Sequence, residues 1–391
     1  MIKLAATRAL LAAALCALAF PPLAASAQDE PSAYPSPNEI VTRAPASEWV
    51  RIAPEDLLVM DLAPDRDNQP RRVVIQLMPP PFDQGWIGNI RKLAAAHWWD
   101  GTSVNRVQDN YVVQWGDATE QKPLPEGLAT VPESDYIVSA EILSQAHGLS
   151  AADRARIDDI TDKARRSGGS KVEQLAEALT ALGPIPSAAS KEADRIAMIS
   201  IASTSTVDAP QGWHERDSYA SWVEFWNGWP LANSDADGSK FWPVHCYGMV
   251  GVGRDLSPDT GTGAELYTVI GQAPRHLDRN IALVGRVIEG MEHLSSLPRG
   301  TGDLGFYEDP AQRVPIVSVR LASEMPEAAP ASSSEALGQL KRPRLEYLST
   351  EGPTFAAYAD ARANRRDPFF NVPAGGADIC NIPVPVRRVA P

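Results

Sequence analysis

The chain of 391 residues predicts a mainly β fold: an antiparallel β-barrel capped by two helices and interrupted by a partly helical insertion. Three observations predict it. Short β-branched runs bounded by turn residues recur in two blocks, residues 70–117 and 244–322, and many short strands at close spacing indicate a barrel. Each block holds one stretch at helical spacing. Between them, residues 118–243 have a different composition, and a connection of that length must build structure of its own.

The elements follow in chain order. Residues 1–27 have a basic start (Lys3, Arg8), an apolar run from Leu10 to Leu23 and the small-residue site Ala25-Ser26-Ala27, the three parts of a secretory signal. Pro21-Pro22 end the run short of the ~20 residues a membrane span needs. The expected product is exported to the periplasm and has no membrane anchor after signal cleavage. Residues 28–69 read as a Pro-rich leader with one short strand, Leu57–Leu62. Val73–Leu77 is a strand stopped by Pro79-Pro80-Pro81. Trp86, Ile90, Leu93 and His97 recur at helical spacing, so Phe82–His97 reads as an amphipathic helix packed on a sheet. Val104–Gly116 forms two strands around Asp109-Asn110.

The insertion, 118–243, starts loop-like over 118–147. Asp153–Leu182 reads as a pair of helices broken at Gly168-Gly169. Five of the ten tryptophans, Trp213, Trp222, Trp226, Trp229 and Trp242, then follow, read as a packing face rather than a ligand platform. Strands return at Cys246–Val252, Glu265–Ile270, Ile281–Val287 and Val314–Leu321, with a helix at Ile288–Leu297. Residues 323–391 form a Pro/Ala/Ser-rich tail.

With 36 basic against 49 acidic residues and a net charge of -13, the chain would repel a phosphate backbone, so nucleic acid is excluded as a partner. There is no phosphate-binding glycine loop, nucleophile elbow, Cys-x-x-Cys or His-Glu-x-x-His. The six histidines show no ligand spacing. Neither a metal nor a cofactor is expected. Export leaves Cys246 and Cys380, and in an oxidising compartment two remaining thiols read as a disulfide.

One order of segments carries the chemistry: VVIQL, LAAAHWWDGT, VNRVQDNYVVQWGD, YGMVGVGRD, TGTGAELYTVIG, HLD and ALVGRVIEGMEHL. This order resembles the cyclophilin-type peptidyl-prolyl cis-trans isomerases over 70–117 and 244–322, within an expected domain of 70–322. The resemblance implies an eight-stranded antiparallel barrel closed by a helix at each end. It implies that Arg106 is the catalytic arginine and Gln114 the glutamine that orients the peptide. Tyr111, Val112, Tyr267 and Leu277 would form the apolar proline pocket, with Gly253, Arg254, Glu265 and His276 completing the substrate groove. Its partners would be proline-containing polypeptides, among them unfolded exported proteins.

The chain departs from the family pattern at Val104-Asn105, at Trp115-Gly116 and at Ala264-Glu265. Glu265 puts a carboxylate where the family has an amide. It could pair with Arg106 or Arg254, or recognise a basic substrate. Two functions are therefore carried forward: an isomerase that assists folding of exported proteins, and a catalytically weak scaffold or chaperone that binds through its insertion.

Overall fold

The computed structural model describes residues 34–146, 213–233, 240–327 and 342–389. The expected signal segment and the helix pair at Asp153–Leu182 lie outside the described residues. In chain order the elements are α1 (Pro37–Thr42), β1 (Trp49–Arg51), β2 (Leu57–Leu62), β3 (Arg71–Leu77), α2 (Gln84–Ala95), β4 (Ser103–Val107), β5 (Val112–Gly116), β6 (Val138–Ser139) and α3 (Ala140–Ala146). They continue with β7 (Trp222–Trp226), β8 (Trp229–Asn233), β9 (Lys240–Pro243), β10 (Met249–Val252), β11 (Leu266–Val269), β12 (Leu283–Glu289), α4 (Glu292–Ser295), β13 (Val314–Leu321), β14 (Leu345–Leu348), α5 (Pro353–Asn364) and β15 (Val386–Arg388).

Eight strands close into an antiparallel barrel in the order β10-β11-β5-β4-β13-β2-β3-β12. The expected mainly β fold and its eight-stranded barrel are observed. Strand β2 lies between β13 and β3, so the barrel takes in Leu57–Leu62 from the segment expected to be a leader. Helix α2 buries Trp86, Ile87, Ile90, Leu93 and Ala94 on its apolar stripe. His97 follows it at a left-handed φ of 54°, which ends the helix before the expected boundary. The second helix is shorter than the sequence suggests. Strand β12 continues as far as Glu289, which pairs with Val74, and Gly290 turns the chain at φ +82°, so only Glu292–Ser295 coils as α4.

The described part of the insertion forms a four-stranded sheet, β6-β9-β8-β7; β6 and α3 arise in 118–147, which the sequence suggests to be loop-like. Asn227 and Gly228, both at positive φ, make the two-residue turn between β7 and β8 that Asn-Gly favours. A side chain at 228 would meet the Tyr347 ring at 2.6 Å, so glycine is also required by close approach. Trp226, Trp229 and Trp242 are buried in one core with the barrel residues, and Trp226 meets Phe82 edge to face. The tryptophans are packing residues. The segment expected to be a tail is structured too: β14 and β15 join β1 in a three-stranded sheet, and α5 buries Phe355, Tyr358, Ala359 and Ala363. A disulfide joins Cys246 to Cys380 across 134 residues. Closing a loop that long removes entropy worth about 5 kcal/mol from the unfolded chain in the simplest model.

Candidate active site

Strand alternation decides which face carries the site. On β5, Val113 and Trp115 enter the barrel core, so Val112 and Gln114 project from the opposite face. Register then aligns a row: Arg106 on β4 faces Gln114, Gln114 faces Tyr267 on β11, and Tyr267 faces Gly251 on β10. Directly opposed residues share a face. There Val112, Tyr267 and Val269 form an apolar cluster separate from the main core, flanked by Tyr111, Leu277 and Ile281. The Tyr267 hydroxyl fits because position 251 is glycine, where a Cβ would lie 2.3 Å from it.

The Arg106 guanidinium stands beside this cluster. Its Nε donates to the Leu304 carbonyl at 2.7 Å, its Nη1 to Gln114 Oε1 at 3.0 Å, and its Nη2 to Gln108 Oε1. It lies 5.8 Å from the Tyr111 ring centroid and 5.5 Å from that of Phe306. Partial burial lowers its pKa from the free-guanidinium value, but a guanidinium remains cationic in any aqueous protein. A guanidinium has five N–H donors. Three are engaged, and the other two have no recorded partner among the described residues.

Glu265 sits behind Gln114. The side chains of Gln114 and Asn105 and the Asp117 backbone N–H lie where they favour its charged form, yet Oε2 has no hydrogen-bond partner. Burial raises its pKa above the usual carboxylate range, and the nearby charge of Asp117 adds to that rise. The carboxylate lies over Gly116, where a Cβ would come within 1.9 Å of Oε1. Glu265 makes no ion pair with Arg106 or Arg254 among the described residues, so the pairing considered from the sequence is not formed. Arg254 instead donates to the Asn280 carbonyl from Nε and Nη2, at 3.0 and 2.9 Å, and to the Asp255 carbonyl.

Gly253 donates its N–H to the Glu265 carbonyl at 2.8 Å, and a Cβ there would lie 3.6 Å from Gln114 Nε2. His276 is exposed and stacks on Tyr111 with ring centroids 6.3 Å apart. The structure thus brings the expected site residues to one region of the barrel surface. Sequence reasoning missed Gln108, Leu304 and Phe306 around the guanidinium, and His245 behind Tyr267. Gln108 was findable, because it follows the end of β4 two residues after Arg106, where strand alternation still points to the same face. Among the described residues no group of three His, Cys, Asp or Glu could hold a metal ion.

The family described as "Cyclophilin type peptidyl-prolyl cis-trans isomerase/CLD" matches residues 86–321, more than half of the chain, and the chain belongs to that family. No curated protein matches it. Among solved structures, cyclophilin AquaCyp293 from Hirschia baltica is similar at a TM-score of 0.50 and 19% identity, over 87% of this chain and 93% of that one. A cyclophilin-type peptidyl-prolyl cis-trans isomerase from Cryptosporidium parvum, crystallised in the presence of the dipeptide Ala-Pro, is similar at a TM-score of 0.29 and 8% identity, over 64% of this chain and 92% of that one.

Proposed function

We propose that the protein accelerates rotation about X-Pro bonds, with Arg106 as the group that stabilises the twisted amide. Rotation breaks amide resonance, a barrier of about 20 kcal/mol, and takes tens to hundreds of seconds unaided. As the bond twists, the proline nitrogen becomes pyramidal and regains a lone pair. A fixed N–H aimed at that nitrogen binds it more strongly than the planar ground state, and this difference in binding lowers the barrier. The observation that carries the reading is the Arg106 guanidinium, held by three acceptors beside an apolar cluster with two donors to spare.

The other residues take roles that need no proton transfer. Tyr111, Val112, Tyr267 and Leu277 hold the proline ring, and Gln114 both positions the guanidinium and orients the peptide. We extend the proposal to exported, proline-containing polypeptides as substrates in the periplasm. Its support is the signal-like N-terminal segment and the Cys246–Cys380 disulfide, which suits an oxidising compartment.

The test is cis/trans relaxation of an unstructured peptide with a single Ala-Pro bond. Wild type should accelerate it, and Arg106→Ala should lose about 10²-fold in kcat, the usual effect of removing one preorganised donor. Wild-type relaxation at the uncatalysed rate would sink the isomerase reading and leave the scaffold function.

A further inference from the structure

Behind the proline pocket runs a buried chain of polar groups that the rotation chemistry does not use. The Tyr267 hydroxyl lies 3.0 Å from His245 Nε2, and His245 Nδ1 lies 2.9 Å from Asp278 Oδ1, which also accepts the His245 backbone N–H at 3.0 Å. Asp278 Oδ2 accepts from Arg275 Nε at 2.7 Å. Arg275 then forks onto Asp217, Nη1 to Oδ2 at 2.6 Å and Nη2 to Oδ1 at 2.9 Å. Tyr267, His245, Asp278 and Arg275 are buried, and the Asp217 side chain is 1% exposed. A carboxylate can only accept, so His245 Nδ1 carries the proton, and in the neutral ring Nε2 accepts from the Tyr267 hydroxyl. Burial raises the Tyr267 pKa well above its usual value, which keeps that hydroxyl a donor.

Two routes lead from this chain to the pocket. One is the Tyr267 ring itself. The other is the short turn Arg275–Leu277, which carries His276 and Leu277 and is held at Arg275 and Asp278. The far anchor, Asp217, belongs to the insertion and not to the barrel. We propose that Asp217 is a positioning residue through which the insertion holds the proline pocket in its binding shape. This rests on the isomerase reading of the same pocket.

The pocket grips the proline ring in ground and transition state alike, whereas Arg106 acts only on the twisted bond. Loosening the pocket should therefore raise KM and leave kcat nearly unchanged. A merely structural role would do the reverse, lowering apparent kcat with the folded fraction at constant KM. For Asp217→Ala we expect KM for the Ala-Pro peptide to rise about fivefold, and for Asp217→Asn, which keeps one acceptor oxygen, about twofold. An unchanged KM in both variants overturns the proposal. Should the alanine variant not fold, the asparagine variant and Arg275→Lys carry the same test.

A second readout needs no turnover. In protein carrying 13C-labelled tyrosine, the Tyr267 ring resonances should shift in Asp217→Asn. Shifted resonances in a protein that does not accelerate rotation would retain the positioning role and discard the isomerase reading; unshifted resonances would discard the positioning role whatever the activity.

Discussion

Two arginines on this barrel have nearly the same kinds of partner and opposite degrees of cover. Arg286 on β12 donates Nε and Nη2 to Gln76 Oε1 at 3.0 and 2.8 Å and Nη1 to the Gly228 carbonyl at 2.7 Å. It lies 4.5 Å from the Trp229 ring centroid and 5.9 Å from that of Tyr347. Arg106 likewise donates to side-chain amide and backbone oxygens, three in its case, and lies near two aromatic rings, and neither arginine has a carboxylate partner among the described residues. What differs is the cover. The insertion's hairpin turn and β14 close over Arg286, and full burial pulls its pKa down to about 10; the loop bearing Leu304 and Phe306 only flanks Arg106, which stays partly open. An unpaired guanidinium on aromatic rings is a structural hub when covered; when open it keeps N–H donors free, which is what the proposed function requires of Arg106.

The largest effect should come from breaking the covered site. Arg286→Ala strands the Gly228 carbonyl and Gln76 Oε1, about 2 kcal/mol, and removes desolvated cation–π contacts worth about 2 more. We expect the melting temperature to fall by roughly 10 °C, with the barrel, the insertion hairpin and β14 all losing hydrogen-exchange protection. Protection lost from the hairpin alone would mean that Arg286 does not join the three.

The open site should respond the other way. Arg106→Lys keeps the charge and loses the fork, so the ties to Leu304, Gln114 and Gln108 cannot all form. Its kcat for Ala-Pro rotation should fall on the order of 10-fold, with a melting temperature within about 2 °C of wild type. If Arg106→Lys melts as low as Arg286→Ala, the distinction between covered and open arginines fails.

Much of this was legible in the sequence, and the reasons differ by region. The strands β3, β10, β11, β12 and β13 announce themselves because β-branched runs between turn residues have few other uses. The position of β2 did not, since Leu57–Leu62 is isolated among Pro-rich sequence and only its partners, β3 and β13, make it a barrel strand. In the C-terminal segment, Phe355, Tyr358, Ala359 and Ala363 stand at helical spacing behind Pro353, a favoured first helical residue, but the surrounding prolines masked that signal. At the site, Arg106, Gln114 and Tyr267 came from the order of motifs. Leu304, Phe306 and Asp217 could not, because each reaches its partner over scores of residues and leaves no local pattern.

The smallest effect concerns the residue that orients the open arginine. An ionised carboxylate at 265 can only accept, and its attraction for the Gln114 amide favours the orientation that leaves Gln114 Oε1 for Arg106. Glutamine at 265 could also donate, and Gln114 would no longer be held one way round. Glu265→Gln should thus lower kcat/KM by about threefold, less than either arginine substitution. Stability should move in the opposite sense. Because burial raises the folded-state pKa of Glu265 above its ordinary 4.5, protonation favours the fold; that contribution is whole below 4.5 and is lost as pH climbs through the raised value. Glutamine never ionises and keeps it. The variant should match wild type in denaturant midpoint at pH 4, then exceed it progressively toward pH 7. A gap that is constant with pH would show that the groups around Glu265 balance its desolvation, and that Arg106 is served by a carboxylate at ease in its site.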